Sequence, residues 1–233
     1  MVENVAENIL KIRERISKAA LKSGHKPEEI RLVAAIKKVP AKKVIEAINA
    51  GVVDLGENRV QDAVAKFNEV GDCVNWHFIG HLQRNKVKYI VPFVELIHSV
   101  DSIRLAREID KQARKIGKVQ KVLLEVNISH EKSKFGFFSD EISAKLKEIA
   151  KLKNVKVKGL MGIPPLTDKP ENSRRFFKEL KEIFDNIIKE NVLCVEFSYL
   201  SMGMTNDFEV AIEEGANMVR IGTGIFGFRE VVK

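Results

Sequence analysis

From about residue 31 onward, short apolar runs alternate with longer amphipathic stretches, and this rhythm constrains the fold more than any other feature of the chain. Short apolar runs suit strands covered on both faces. Amphipathic stretches suit helices with one apolar stripe, and regular alternation of the two points to a parallel sheet with helices packed outside it. Eight runs qualify as strands: residues 32–36, 52–55, 76–79, 96–100, 122–126, 157–161, 195–200 and 218–221. The seven segments between them carry helical spacing, clearest in Phe176, Phe177, Leu180, Ile183, Phe184, Ile187 and Ile188, which form one stripe. Asp101 and Ser139 stand where N-caps belong, and Gly51, Gly117 and Gly215 stand where left-handed C-caps belong. Another amphipathic segment precedes the first strand, with Val5, Ile9, Ile12, Ile16 and Ala19 on one face. We expect it to cover the flank that the short tail after the last strand leaves open. Eight strands and eight helices predict an α/β fold, a single (β/α)8 TIM-type barrel with an extra amino-terminal helix, in which residues 1–233 form one domain. A doubly wound open sheet is the alternative.

Composition narrows the function classes. With 45% apolar and 31% charged residues, the chain is neither disordered nor membrane-like. Its most apolar stretch, residues 89–97, is broken by Pro92 and Glu95, far short of the roughly 20 apolar residues of a spanning helix. Glu3 and Glu7 interrupt the amino terminus, which lacks the form of a secretory signal. A cytoplasmic protein is expected. Two cysteines, Cys73 and Cys194, provide neither a disulfide framework nor a four-ligand zinc site. The net charge of +8 raises nucleic-acid binding, but the lysines interleave with glutamates, as in Lys178-Glu179-Leu180-Lys181-Glu182, the pattern of solvated helix faces. No nucleic-acid or membrane partner is expected.

In a barrel, chemistry gathers at the carboxyl ends of the strands, and phosphate often binds after strands seven and eight. Lys37 is the first polar residue beyond the first strand. A lysine partly desolvated there is a better nucleophile toward an aldehyde; a solvated loop lysine is the competing reading, and Lys38 competes for the role. Asn58, in Gly56-Glu57-Asn58, is placed to contact a ligand or to cap the next helix. His77 and His81 near one strand suggest a metal, but no carboxylate or cysteine stands at matching spacing, and none is expected. The segments Ser201-Met202-Gly203-Met204-Thr205 and Arg220-Ile221-Gly222-Thr223-Gly224 offer the hydroxyls and glycine amides that hold an anion. Gly222, Gly224 and Gly227 also fit a dinucleotide fingerprint, but without the βαβ unit it requires. Arg220 lies within a strand, where arginine needs a partner. It either pairs with a carboxylate such as Glu125 or Glu196, or donates to a ligand.

These motifs in this order, with Trp76-His77-Phe78-Ile79-Gly80-His81-Leu82-Gln83, Glu131, Lys134, Gly136, Gly159-Leu160-Met161, Asp207-Phe208 and Phe226-Gly227, resemble the pyridoxal phosphate homeostasis protein family across essentially the whole chain. The resemblance implies a fold-type III barrel like the amino-terminal domain of alanine racemase, usually monomeric, with pyridoxal 5′-phosphate (PLP) held as a Schiff base. Carried onto matching positions, it implies that Lys37 forms the imine, Asn58 lies near the ring and Arg220 faces the pyridine nitrogen. Ser201, Gly222 and Thr223 would hold the phosphate, with Met202 and Met204 beside it. Departures are Thr205 where serine is commoner, Gly162 where alanine is commoner, and the tail from Gly227 to Glu230. An arginine at the ring nitrogen opposes its protonation and weakens carbanion stabilisation. The racemases also use a tyrosine from a second domain, which neither Tyr89 nor Tyr199 obviously replaces. A non-catalytic carrier that buffers PLP or supplies it to apo-enzymes is therefore expected, with a weak or narrow fold-type III amino-acid racemase as the alternative.

Overall fold

The computed structural model describes residues 4–131, 134–190 and 195–227. Eight parallel strands, β1 (Arg31–Ala35), β2 (Asp54–Glu57), β3 (Asn75–Phe78), β4 (Leu96–Val100), β5 (Gln120–Val126), β6 (Val155–Gly162), β7 (Tyr199–Met204) and β8 (Met218–Ile221), close in sequence order, β8 pairing with β1. The helices are α1 (Val5–Lys22), α2 (Ala41–Asn49), α3 (Val60–Val70), α4 (Val87–Ile90), α5 (Ile103–Lys115), α6 (Ile142–Ile149), α7 (Arg174–Lys189), α8 (Phe208–Glu213) and α9 (Thr223–Phe226). The fold is thus the TIM-type α/β barrel and not the open sheet. No helix among the described residues is long and apolar enough to cross a membrane.

The side chain of Asn4 starts α1 by accepting the N–H groups of Ala6 and Glu7. The helix buries Val5, Ile9, Ile12, Ile16 and Ala19 against α2, α8 and α9, covering the seam where the barrel closes. The stripe on α7 holds through Phe176, Phe177, Leu180, Phe184 and Ile187, but Ile188 falls off it and is half exposed. Gly51, Gly117 and Gly215 all take positive φ at helix ends.

Three local expectations are corrected. Ser102, not Asp101, caps α5, accepting the Leu105 N–H, while Asp101 pairs with His81. Ser139 caps nothing. Helix α6 starts at Ile142, and the Ser139 hydroxyl donates to Glu179. Strands β2 and β7 lie further along the chain than their apolar runs suggested, because polar Glu57 and the Ser201–Met204 segment are in the sheet. Within β7, Gly203 takes φ 89°, and a Cβ there would lie 2.6 Å from the Ala211 Cβ; the register with β8 shifts over this stretch. Cys73 is a free, exposed thiol, and Cys194 and residues 228–230 of the tail lie outside the described residues.

The main core lies between barrel and helices. A smaller apolar cluster of Val33, Leu96, Leu123, Met161 and Met218 is separate from it. These residues alternate along their strands with core-facing ones, so they point into the barrel. There they share the interior with Asp54, His77, His98, Ser201 and Arg220, all buried.

Candidate functional site

A cavity of about 670 Å³ opens at the carboxyl ends of the strands, the usual place for a barrel's site. Its wall includes Lys37, Asn58, Met204, Arg220, Gly222 and Thr223, so six of the eight residues singled out in the sequence converge from β1, β2, β7 and β8. Ser201 and Met202 do not line it; both are fully buried beneath.

Lys37 and Lys38 form the tip of a turn closed by the Val39 N–H on the Ile36 carbonyl at 3.0 Å. Lys38 takes the left-handed conformation at φ 55° and does not line the cavity, whereas Lys37 does. Lys37 is exposed at the rim, so the barrel wall by itself does not provide the partial desolvation expected of it. Asn58 does not cap α3, whose N-cap is Arg59. Its Oδ1 is buried without a hydrogen-bond partner and the residue faces the cavity. Buried carbonyl oxygens of this kind are nearly always satisfied, so Asn58 Oδ1 is left able to accept a hydrogen bond from a donor in the cavity. Gly80 makes the approach possible, since a Cβ there would stand 2.3 Å from the Asn58 carbonyl oxygen.

Arg220 reaches the cavity from inside β8. One guanidinium nitrogen donates to the Ser201 carbonyl at 2.9 Å and hydroxyl at 2.6 Å, and the other to the Gly162 carbonyl at 3.1 Å. Among the described residues it makes no ion pair. Glu196 pairs instead with Lys156 and Lys158, and Glu125 faces the cavity. Burial brings the Arg220 guanidinium down to about 10, opposed by Asp207 and Glu125, so it stays cationic at neutral pH.

Behind Arg220 runs a buried hydrogen-bonded chain. Ser201 Oγ lies 3.1 Å from His98 Nδ1, His98 Nε2 lies 2.9 Å from His77 Nδ1, and His77 Nε2 lies 3.0 Å from Asp54. Arginine only donates, which leaves the Ser201 hydroxyl proton for His98 Nδ1. His98 then donates to His77, and His77 to Asp54. Burial, and then His77, Arg220 and Arg31, hold His98 well below its usual range, in keeping with a neutral ring that accepts on one side and donates on the other. Burial pushes Asp54 up, but His77 first and then Arg31 and Asn75 hold it below the usual carboxylate range. The sequence showed His77 only as a possible metal ligand, and His98 not at all. The signal available was a histidine at an inward position of each of two neighbouring strands. Among the described residues, no group of three or more His, Cys, Asp or Glu side chains is arranged to hold a metal.

The Ser201 hydroxyl is thus engaged by Arg220 and His98. Thr205 and Thr223 are among the hydroxyl residues on the cavity wall, and the Thr205 hydroxyl accepts the Gly224 N–H at 3.2 Å and keeps its proton free to donate. In the sequence Glu125 stands out only as a possible partner for Arg220. Burial and then nearby Asp101 raise it to about 7, with Arg220 opposing. His81 stacks on Phe135 at the mouth, ring centroids 3.7 Å apart. Tyr89 is an exposed residue of α4, and the Tyr199 hydroxyl accepts from Arg31; neither lines the cavity.

The closed parallel sheet and the cavity at its carboxyl mouth place the protein in the TIM-type barrel class. Residues 2–230 match the alanine racemase N-terminal domain family, and the chain belongs to that family. A pyridoxal phosphate homeostasis protein of Aquifex aeolicus is 45% identical over 228 residues, covering 97% of this chain and 99% of the relative. The structure of PipY from Synechococcus elongatus PCC7942 with PLP bound superposes with a TM-score of 0.83 at 32% identity, covering 96% of this chain and all of that one. Alanine racemase of Clostridium difficile superposes with a TM-score of 0.76 at 16% identity, 99% of this chain matching 58% of that one, which is a likeness of fold.

Proposed function

We propose that this protein binds PLP in the mouth cavity through Lys37, and holds, buffers or supplies it in the cell without running a catalytic cycle of its own. The observation that carries the reading is the meeting on one cavity wall of the Lys37 amine, the unpartnered Asn58 Oδ1 and the Arg220 guanidinium. The name of the Aquifex aeolicus relative and the PLP-bound PipY structure support it.

The donor set suits the group. Gly222, Thr223 and Thr205 provide amides and hydroxyls for the phosphate, with Met204 beside them. Asn58 Oδ1 would accept a hydrogen bond from the ring hydroxyl, and Arg220 would serve the ring nitrogen. PLP supplies an aldehyde and a ring able to accept electrons. Arg220, a fixed cation held by carbonyls, would oppose protonation of the ring nitrogen and so restrain that acceptor. We take the protein to act as a cytoplasmic monomer whose recipients are apo PLP-dependent enzymes.

Protein incubated with PLP is expected to show an imine absorption band, and borohydride followed by peptide mass spectrometry to place the reduced adduct on Lys37. Lys37→Ala should lose both. An adduct on Lys38 or elsewhere would refute the assignment, and steady amino-acid racemisation by the loaded protein would favour the weak racemase instead.

A further inference from the structure

Helix α3 turns Val60, Ala63 and Lys66 inward, so a lysine occupies a place that helical spacing reserves for hydrocarbon. Lys66 Nζ lies 2.5 Å from the carboxylate of Glu57, at the end of β2, and both residues are buried. Taking two charges out of water costs several kcal/mol each, and an apolar pair of similar volume often holds a core as well or better. Packing stability therefore does not explain the pair; its other contacts do.

Lys66 Nζ also donates to the Ile36 carbonyl at 2.7 Å, the same carbonyl that accepts the Val39 N–H and closes the turn bearing Lys37. Glu57 Oε1 accepts the backbone N–H of Asn58 at 2.7 Å. One buried ion pair thus joins the backbone carrying Lys37 to the backbone carrying Asn58. The turn it grips is strained at Lys38, and such a conformation persists only where its surroundings over-determine it.

We propose that Lys66 and Glu57 are positioning residues for the cavity: together they fix the Lys37 amine relative to Asn58 and so set how readily Lys37 takes an aldehyde. Neither lines the cavity, so they act through Lys37 and Asn58. The inference rests on the reading of Lys37 as the linking amine. A displacement of about 1 Å in a reacting group is enough to cost around 100-fold in rate.

The test is the double variant Lys66→Met with Glu57→Met, which removes both charges and leaves none buried alone. Two probes separate positioning from general damage: PLP, followed by its imine band and borohydride-trapped adduct, and pyridoxine 5′-phosphate, which has the ring and phosphate but no aldehyde. We expect a melting temperature close to wild type, affinity for the alcohol within about threefold, and adduct formation slowed by tenfold or more. If the double variant does not fold, Glu57→Gln takes its place, since it keeps an acceptor for the Asn58 N–H but removes the charge that draws in Lys66. It should show the same selective loss for the aldehyde. Adduct formation at the wild-type rate in a folded variant, or equal weakening of both probes, overturns the proposal. If wild-type protein forms no adduct on Lys37, the reading of Lys37 itself has failed, and this inference with it.

Discussion

Arg220 shows how one side chain is made tolerable inside a barrel. Its donors end on two carbonyls and one hydroxyl, and the hydroxyl passes the hydrogen bonding on through His98 and His77 to Asp54. Removing the Ser201 hydroxyl leaves His98 Nδ1 without a donor and Arg220 with one acceptor fewer, and a buried polar group left unsatisfied costs about 1–3 kcal/mol. Ser201→Ala should lower unfolding stability by that amount in urea titration, while the affinity for inorganic phosphate and the adduct on Lys37 persist. Loss of phosphate affinity with unchanged stability would return Ser201 to the anion site. In the sequence, Ser201 and Thr205 look equivalent, two hydroxyl residues flanking Met-Gly-Met. The bend at Gly203 and the register shift between β7 and β8 separate them, and neither is written in residue types.

At the scale of elements, α1 closes the outer ring by seating one apolar face over the seam between β8 and β1. Ile9 on that face is fully buried, and an isoleucine cut to alanine in such a place costs about 2–5 kcal/mol. Ile9→Ala should lower the unfolding midpoint accordingly, and an unchanged midpoint would mean that α1 is an appendage. The helix was legible because its buried positions repeat at helical spacing and most of the positions between them are charged or polar, despite exposed Leu10 and Leu21. Strand ends were less so. Glu57 pairs with Phe78 in the sheet, and its buried charge is met there by Lys66 on α3, a long-range fact that local hydropathy does not contain. Gly162 has a similar origin: a Cβ there would lie 2.7 Å from a methyl of Leu180 on α7, so the departure from alanine follows from how closely α7 packs.

At the scale of the whole molecule, acidity acts through Glu125, raised from 4.5 to about 7. A carboxyl with a raised folded pKa favours the fold fully below its unfolded value, and this contribution is lost as pH climbs through the folded value. The window is thus about pH 4.5 to 7. At about 1.4 kcal/mol per pKa unit, Glu125→Gln should gain on wild type by up to about 3 kcal/mol across that window. Melting curves from pH 5 to 8 would show it, and a constant gap would contradict it. The alternation of eight strands with helices and the loops that bear Lys37, Asn58 and Gly222-Thr223 were determined by the sequence alone, because hydropathic period and glycine placement are local properties of the chain. Closure of β8 onto β1, the polar chain inside, the placing of Lys37 and Thr205 on the cavity wall with Lys38 and Ser201 off it, and the Lys66–Glu57 pair were decided only in three dimensions. Each depends on which side chains distant in sequence meet away from water, and there the loss of hydration makes every polar group's partner a condition of its place.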